Sequence, residues 1–284
     1  MRDIVIGSII NYGWDNIKYW VNSLDRSGFS GEKMMLCFNI DQDTIEQLKK
    51  RKYTIISLNS YNMDISNFNI VVDRFYYIWQ FLLQCKNKYR YVIATDVKDV
   101  IFQNNPSEYV EKSFENSIRN KTLIMSTESI LYKDEEWGAN NILKSFGVAF
   151  YEQLKNNIII NCGVLSGKYS SIIDLFLSIY MISNGASGRH ISGGGGPDQA
   201  SLNILLNMKN WKDTTIINKS EDGWAAQLGT TGPQILTSVR EKLVEKTPIL
   251  LNNQICTSTG KTFTIVHQYD RTPWKTIIEN TYKD

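Results

Sequence analysis

Over the first hundred residues, short apolar runs alternate with longer periodic ones. "DIVIGSII" (3–10) is a continuous apolar run of strand length, and Ile17, Trp20, Val21 and Leu24 then recur at i, i+3, i+4 and i+7, one face of a helix. "KMMLCFNI" (33–40) predicts a second strand, and "DTIEQLKKRK" (43–52) a short helix with Asp43 as its N-cap. "YTIISL" (53–58) is a third strand. "DRFYYIWQFLLQ" (73–84) is apolar on most sides, which predicts a helix buried between the sheet and a further layer. "YRYVIATD" (89–96) closes the series as a fourth strand. This alternation belongs to βαβ units, so the expected class is α/β with a mostly parallel central sheet flanked by helices.

The second half is less regular. "PSEYVEKSFENSIR" (106–119) predicts a helix opened by Pro106, "TLIMST" (122–127) a strand, and "EEWGANNILKSFG" (135–147) a helix stopped by Gly147. "NNIIINCGVLSGK" (156–168) reads as a strand interrupted near Cys162–Gly163, and "SSIIDLFLSIYMIS" (170–183) as a mostly buried helix. "NGASGRHISGGGGPDQASLNILLN" (184–207) is a glycine-rich loop running into a helix that Pro197 starts; such a loop is expected to close over bound ligand. No repeat or proline-rich linker divides the chain. One domain over 1–284 is expected, with 1–105 and 106–284 as its two halves.

With 284 residues, 42% of them hydrophobic, the chain can bury a large core. Its 31 basic and 29 acidic residues leave a net charge of +2, too small for a general electrostatic role on nucleic acid or a membrane surface. The first apolar stretch soon meets Asn11, Tyr12 and Asp15, so it reads as a buried strand and not a secretory segment, and no run is long enough to span a membrane. Cys37, Cys85, Cys162 and Cys256 are far apart and form no C-x-x-C pair, which argues against a zinc site or a dense disulfide framework. A cytoplasmic setting is expected.

The candidate chemistry begins at "ATDVKDVIFQNNP" (94–106). Asp96 and Asp99 stand at the carboxyl end of the fourth strand, where open α/β sheets bind ligands, although acids are also common in plain solvated turns. Two other motifs lack their context. "TSTGKTF" ends like a phosphate-binding loop, but Ile255 stands where the first glycine is needed and the strand-like "FTIVH" follows it. "DVKDV" misses the D-x-D spacing of a phosphatase nucleophile loop by one residue.

Four separated pieces, Asp96/Asp99, "NCGV" (161–164), "DQASLN" (198–203) and "HQYDRTPW" (267–274), stand in the order seen in GT-A fold glycosyltransferases. They resemble the glycogenin-like nucleotide-sugar transferases, with D-x-D, N-x-G-V, D-Q-x-x-L-N and a late His before P-W. The resemblance covers roughly residues 90 to 275. It implies a GT-A fold and transfer of a hexose from a nucleoside diphosphate sugar, a UDP-sugar first, to an acceptor hydroxyl on a glycan, protein or small molecule. It further implies Mn²⁺ or Mg²⁺ held by Asp96, Asp99 and His267. Asn161 is then expected beside the donor sugar, offering its amide to sugar hydroxyls, with Gly163 permitting close backbone approach. Asp198 is the expected catalytic residue, at a helix start where the backbone dipole favours its ionised form. Ser8, Asn11, Arg74, Gln199 and Arg271 complete the expected donor-binding set.

The chain departs from the family pattern in two places. Its two acids are separated by two residues instead of one, and the late motif lacks the lysine that binds diphosphate, leaving Arg271 or Lys275 to supply the charge. Arg74 also has a plain reading as a surface salt bridge, and His190 one as an exposed loop residue. Two other functions compete: a non-catalytic carbohydrate or nucleotide-sugar binding protein on the same fold, and a metal-dependent phosphohydrolase or nucleotidyltransferase using Asp96 and Asp99.

Overall fold

The computed structural model describes residues 1–58, 68–117, 120–187 and 196–283. The first half runs β1 (Arg2–Ile10), α1 (Trp14–Arg26), β2 (Glu32–Phe38), α2 (Gln42–Lys50), β3 (Thr54–Ser57), α3 (Ile70–Gln84), β4 (Tyr89–Thr95) and β5 (Val100–Phe102). The chain continues through α4 (Pro106–Glu115), β6 (Leu123–Leu131), α5 (Glu136–Phe146), α6 (Val148–Leu154), β7 (Ile158–Ile160), β8 (Val164–Lys168), α7 (Tyr169–Asn184) and α8 (Asp198–Asn207). It ends with α9 (Lys209–Thr214), β9 (Thr215–Asn218), β10 (Ala225–Gln227), α10 (Leu228–Thr231), α11 (Thr237–Arg240), β11 (Ile249–Leu251), β12 (Gln254–Cys256), β13 (Ile265–His267) and α12 (Lys275–Thr281).

The central sheet has the order β3-β2-β1-β4-β8-β6-β7, with β9 also paired to β6. Strands β3, β2, β1 and β4 are mutually parallel, as the βαβ alternation requires. Beyond β4 the expectation of a mostly parallel sheet fails. The run from Ile158 to Lys168 lies antiparallel to β6 on both sides of its break, and β8 is antiparallel to β4 as well, so the sheet is mixed. An apolar run marks a strand but carries no direction; β7 and β8 follow each other without a helix, and the helices α4, α5 and α6 that separate the other strands do not make them parallel.

The continuous apolar runs exist because both faces of the sheet are covered. Ile4, Ile6, Met34 and Leu36 pack with Phe75 and Leu82 of α3, Phe176 of α7 and Leu202 of α8. The alternate residues Val5, Ile9, Met35 and Cys37 pack on the other face with Trp20 and Leu24 of α1 and Leu48 of α2. Helix α3 is thus buried between sheet and α7, as its apolar circumference predicts. The N-cap of α2 is Asp41, whose side chain accepts from Thr44 N, and not Asp43, which lies inside the first turn. Gly147, at φ 82°, ends α5. No helix among the described residues is long and apolar enough to cross a membrane.

A second, three-stranded sheet, β10-β13-β5, grows from the loop that follows β4. Its antiparallel register sets His267 opposite Val100, the residue after Asp99, and its parallel register sets Gln227 beside His267. That small sheet carries the late histidine to the two acids. Residues 256–262 form a bridged turn with Gly260 at φ 90°, so "TSTGKTF" leads into no helix and the phosphate-loop reading is excluded.

Candidate active site

Asp96 and Asp99 leave the end of β4 and converge on His267 from β13. His267 Nε2 lies 3.4 Å from Asp96 Oδ2 and 3.6 Å from Asp99 Oδ1. One atom from each residue falls within 4.8 Å of the others, so two hard carboxylate oxygens and an imidazole nitrogen face a common point. That donor set suits Mn²⁺ or Mg²⁺. The extra residue between the acids does not turn Asp96 away. The other ring nitrogen, Nδ1, meets Gln227 Oε1 at 2.7 Å, and Gln227 Nε2 donates to Ser126 Oγ at 2.8 Å. When Nδ1 carries the proton, this contact leaves Nε2 free as a ligand. Gln268, in the left-handed region at φ 62°, donates its N–H to Asp99 O at 2.7 Å and pins the acidic loop to the strand end.

The electrostatics of the cluster divide the two acids. Burial works to raise Asp96, but Arg74 and His267 outweigh it and hold the carboxyl well below the usual range. Asp99 is raised by burial, against the pull of His267, with the charges of Asp96 and Asp270 adding to the rise. For His267 burial works downward and is outweighed by Asp99 and Asp96, so the imidazole sits above its ordinary value. A cation placed among them would replace the proton that this crowding retains.

Arg74 is no surface residue. Its side chain is only 9% exposed, and its guanidinium pairs with Asp96 Oδ1 and, at 3.4 Å, with Asp198 Oδ2. Its position on the sheet-facing side of α3 puts it there, which corrects the surface salt-bridge reading. Asp198 opens α8 and is buried. Burial pushes its carboxyl up to about 6, with Arg74 working the other way. The helix start therefore does not hold it at a low value, because the loss of water outweighs the dipole.

Asn161 lines the cavity as expected, but with much of its amide engaged by the protein. Its Oδ1 accepts from Gly163 N at 2.7 Å and its Nδ2 donates to Glu128 Oε1 at 2.8 Å, so the amide braces the break between β7 and β8 and keeps one acceptor position on Oδ1 for a ligand. Gln199 Oε1 supports the same break, accepting from Cys162 N at 3.2 Å. At Gly163 the backbone passes so close that a Cβ would sit 2.9 Å from both Asp96 Oδ2 and His267 Nε2. Gly163→Ala should therefore cost about 1–3 kcal/mol of stability through overpacking. It should also weaken Mn²⁺ binding roughly tenfold or more, since the shift falls on the presumed ligands and their supports. Melting and metal titration check this; unchanged Mn²⁺ affinity would separate Gly163 from the cluster.

These groups line a cavity of about 400 Å³ shared by Arg74, Asp96, Asn161, Gly163, Asp198, Gln199, His267 and Arg271. A second cavity of about 400 Å³ adjoins it through Arg74, Asp96 and Arg271 and is walled by Ser8, Tyr12, Lys98 and Asp99. Asn11 is not on these walls; it is exposed, and its Oδ1 accepts from Asn39 Nδ2 at 2.6 Å. Lys275 lies 3.8 Å from Glu279, one helical turn away, while Arg271 stands at the rim 3.9 Å from Asp99. Glu128, Gln227 and Tyr12 join the site without a sequence motif to mark them. His190 and the glycines at 193–195 fall outside the described residues, and the expected loop closure lies there with them; Gly196 is described, and its carbonyl accepts from Asn141 Nδ2 at 3.0 Å. No protein-family model matches the chain, and no curated protein is significantly similar to it.

Proposed function

We propose that the protein is a metal-dependent glycosyltransferase that moves a sugar from a nucleoside diphosphate sugar, a UDP-sugar first, to an acceptor hydroxyl. One observation carries this reading. Four segments far apart in sequence, from Asp96 to Arg271, meet around one cavity at the end of the parallel strands, with two carboxylates and an imidazole facing a common point. The resemblance to the GT-A fold transferases belongs to the same reading, as does the cytoplasmic setting, to which four free cysteines conform.

In this mechanism Asp96, Asp99 and His267 would hold the divalent ion, with Gln227 fixing the imidazole. The ion, when bound, neutralises charge on the departing diphosphate. Arg271, at the rim, adds positive charge where the family's lysine is missing. The second cavity, with Ser8 and Tyr12 on its walls, takes the nucleoside. Asp198 faces the first cavity, where it takes the acceptor's proton or stabilises positive charge on the sugar, and Arg74 orients it through their ion pair.

Thermal shift with UDP, GDP and CMP, each with and without Mn²⁺, tests the reading. A melting temperature raised by UDP only when Mn²⁺ is present supports it. Stabilisation by free sugar alone would favour a binding protein, and no response to any nucleotide would overturn the proposal.

A further inference from the structure

Glu128 sits where strand β6 departs from regularity. The register between β6 and β7 shifts between Thr127 and Leu131, and Ser129 adopts φ 61°, a left-handed conformation that a serine takes up only at a cost. The residues on either side are tied down together. Thr127 Oγ1 and Ser129 Oγ donate to the same Glu245 oxygen at 2.7 and 2.9 Å, and Ser220 N donates to it at 2.9 Å. Neighbours in a strand point to opposite faces, so anchoring 127 and 129 to Glu245 turns Glu128 the other way, into the cavity. Thr230 Oγ1 then holds the Glu128 carbonyl at 2.8 Å.

The carboxyl delivered there has capacity to spare. Its side-chain hydrogen bond of good geometry is from Asn161 Nδ2 at 2.8 Å, with the Gln199 amide as a weaker second donor, whereas a carboxylate can accept about four. The same Asn161 Nδ2 lies 3.4 Å from Gln199 Oε1, and the buried Gln199 Nε2 meets no acceptor in good hydrogen-bond geometry among the described residues. An acceptor and a donor thus stand side by side, the pattern that a sugar hydroxyl satisfies. Two acids face this end, and burial, partly offset by Asn161, raises the carboxyl of Glu128 above its ordinary range, so its charge is tested on the alkaline side. Glu135 also lines the cavity, with both oxygens on the first amides of α5, and Arg74 is already shared by Asp96 and Asp198.

We infer that Glu128 determines which sugar the site accepts: its carboxylate takes hydroxyl or ammonium donors from a neutral hexose or an amino sugar and repels the carboxylate of a uronic acid. The inference rests on the proposed function, and one experiment distinguishes the failure of either. Calorimetric titration at pH 8 with Mn²⁺ would compare UDP, UDP-glucose, UDP-N-acetylglucosamine and UDP-glucuronate on the wild-type chain and on Glu128→Gln. On the wild type, UDP-glucuronate should bind about thirtyfold or more weakly than UDP-glucose, the discrimination that a like charge in a buried pocket produces. In Glu128→Gln the ratio should fall to about threefold or less as the repelling charge is removed. Equal wild-type affinity for the two sugars, or the same ratio in the variant, would overturn the inference while leaving the transferase reading intact. Failure of UDP itself to bind overturns both. The wild-type comparison alone decides the matter if the variant does not fold.

Discussion

Replacing Asp99 by alanine should abolish Mn²⁺-dependent binding of UDP and leave the fold in place. Asp99 offers its Oδ1 3.6 Å from His267 Nε2 and lines the second cavity, so its carboxylate faces a site. Burial and the neighbouring acids raise its carboxyl, and removing a crowded acid relieves repulsion with Asp96 and Asp270. The loop survives the change because it is held through backbone: Gln268 N donates to Asp99 O, a bond that alanine keeps. Losing one of three protein ligands should cost more than the roughly ten- to hundredfold typical of a supporting residue. Calorimetry with Mn²⁺ and the UDP melting shift measure it directly. Wild-type affinity for both metal and nucleotide in Asp99→Ala would remove the metal centre from the proposal.

How much of this was legible in the sequence depended on what each residue answers to. Strands β1 to β4 were readable because burial on both faces writes itself as apolar runs, and α1 and α3 because their apolar positions follow the helical period. The antiparallel entry of β8 was not, since direction is decided by contacts between distant segments. The acids, Gly163, Asp198, Gln199 and His267 were found through motif order, and the structure brings them together. Roles were harder. Asn161 looked like a sugar ligand, but much of its amide is engaged by Gly163 and Glu128. Arg74 was expected on the donor, with a surface salt bridge as its plain reading; its burial against Asp96 and Asp198 depends on α3 packing against α7 and the sheet, which the sequence does not show. Glu128 and Gln227 carry no signal at all: one is delivered by a bulge in β6, the other by the pairing of β10 with β13. Asn11 had position but not direction, and it turns to Asn39.

Asp198→Asn should separate catalysis from stability by moving them in opposite directions. The carboxyl is buried and sits at about 6 against an ordinary 3.8, chiefly because burial penalises its charge. Between those two values the folded chain holds a proton that the unfolded chain has released, so this group's contribution to stability is greatest at low pH and declines as pH rises from 3.8 to 6. Above that range the ionised carboxylate costs of the order of 3 kcal/mol, taking about 1.4 kcal/mol for each unit of displacement. Asparagine keeps the shape without the charge, so the variant should melt higher than wild type at pH 8, and the gap should close towards pH 4. Activity should go the other way. If the ionised carboxylate acts on the sugar or the acceptor, wild-type kcat/KM rises with pH through about 6, while the variant loses roughly a hundredfold or more in kcat and loses that pH dependence. Donor affinity should change little, because the lost interaction is made in the transition state. The ion pair with Arg74 is the competing explanation for a carboxylate at this position: if Asp198 served only to anchor that guanidinium, the variant would melt lower at pH 8 and bind UDP less well, with kcat nearly unchanged. Melting curves at pH 4 and pH 8, with kcat and KM measured on the same preparations, distinguish a carboxylate kept at the expense of stability from one kept for the fold.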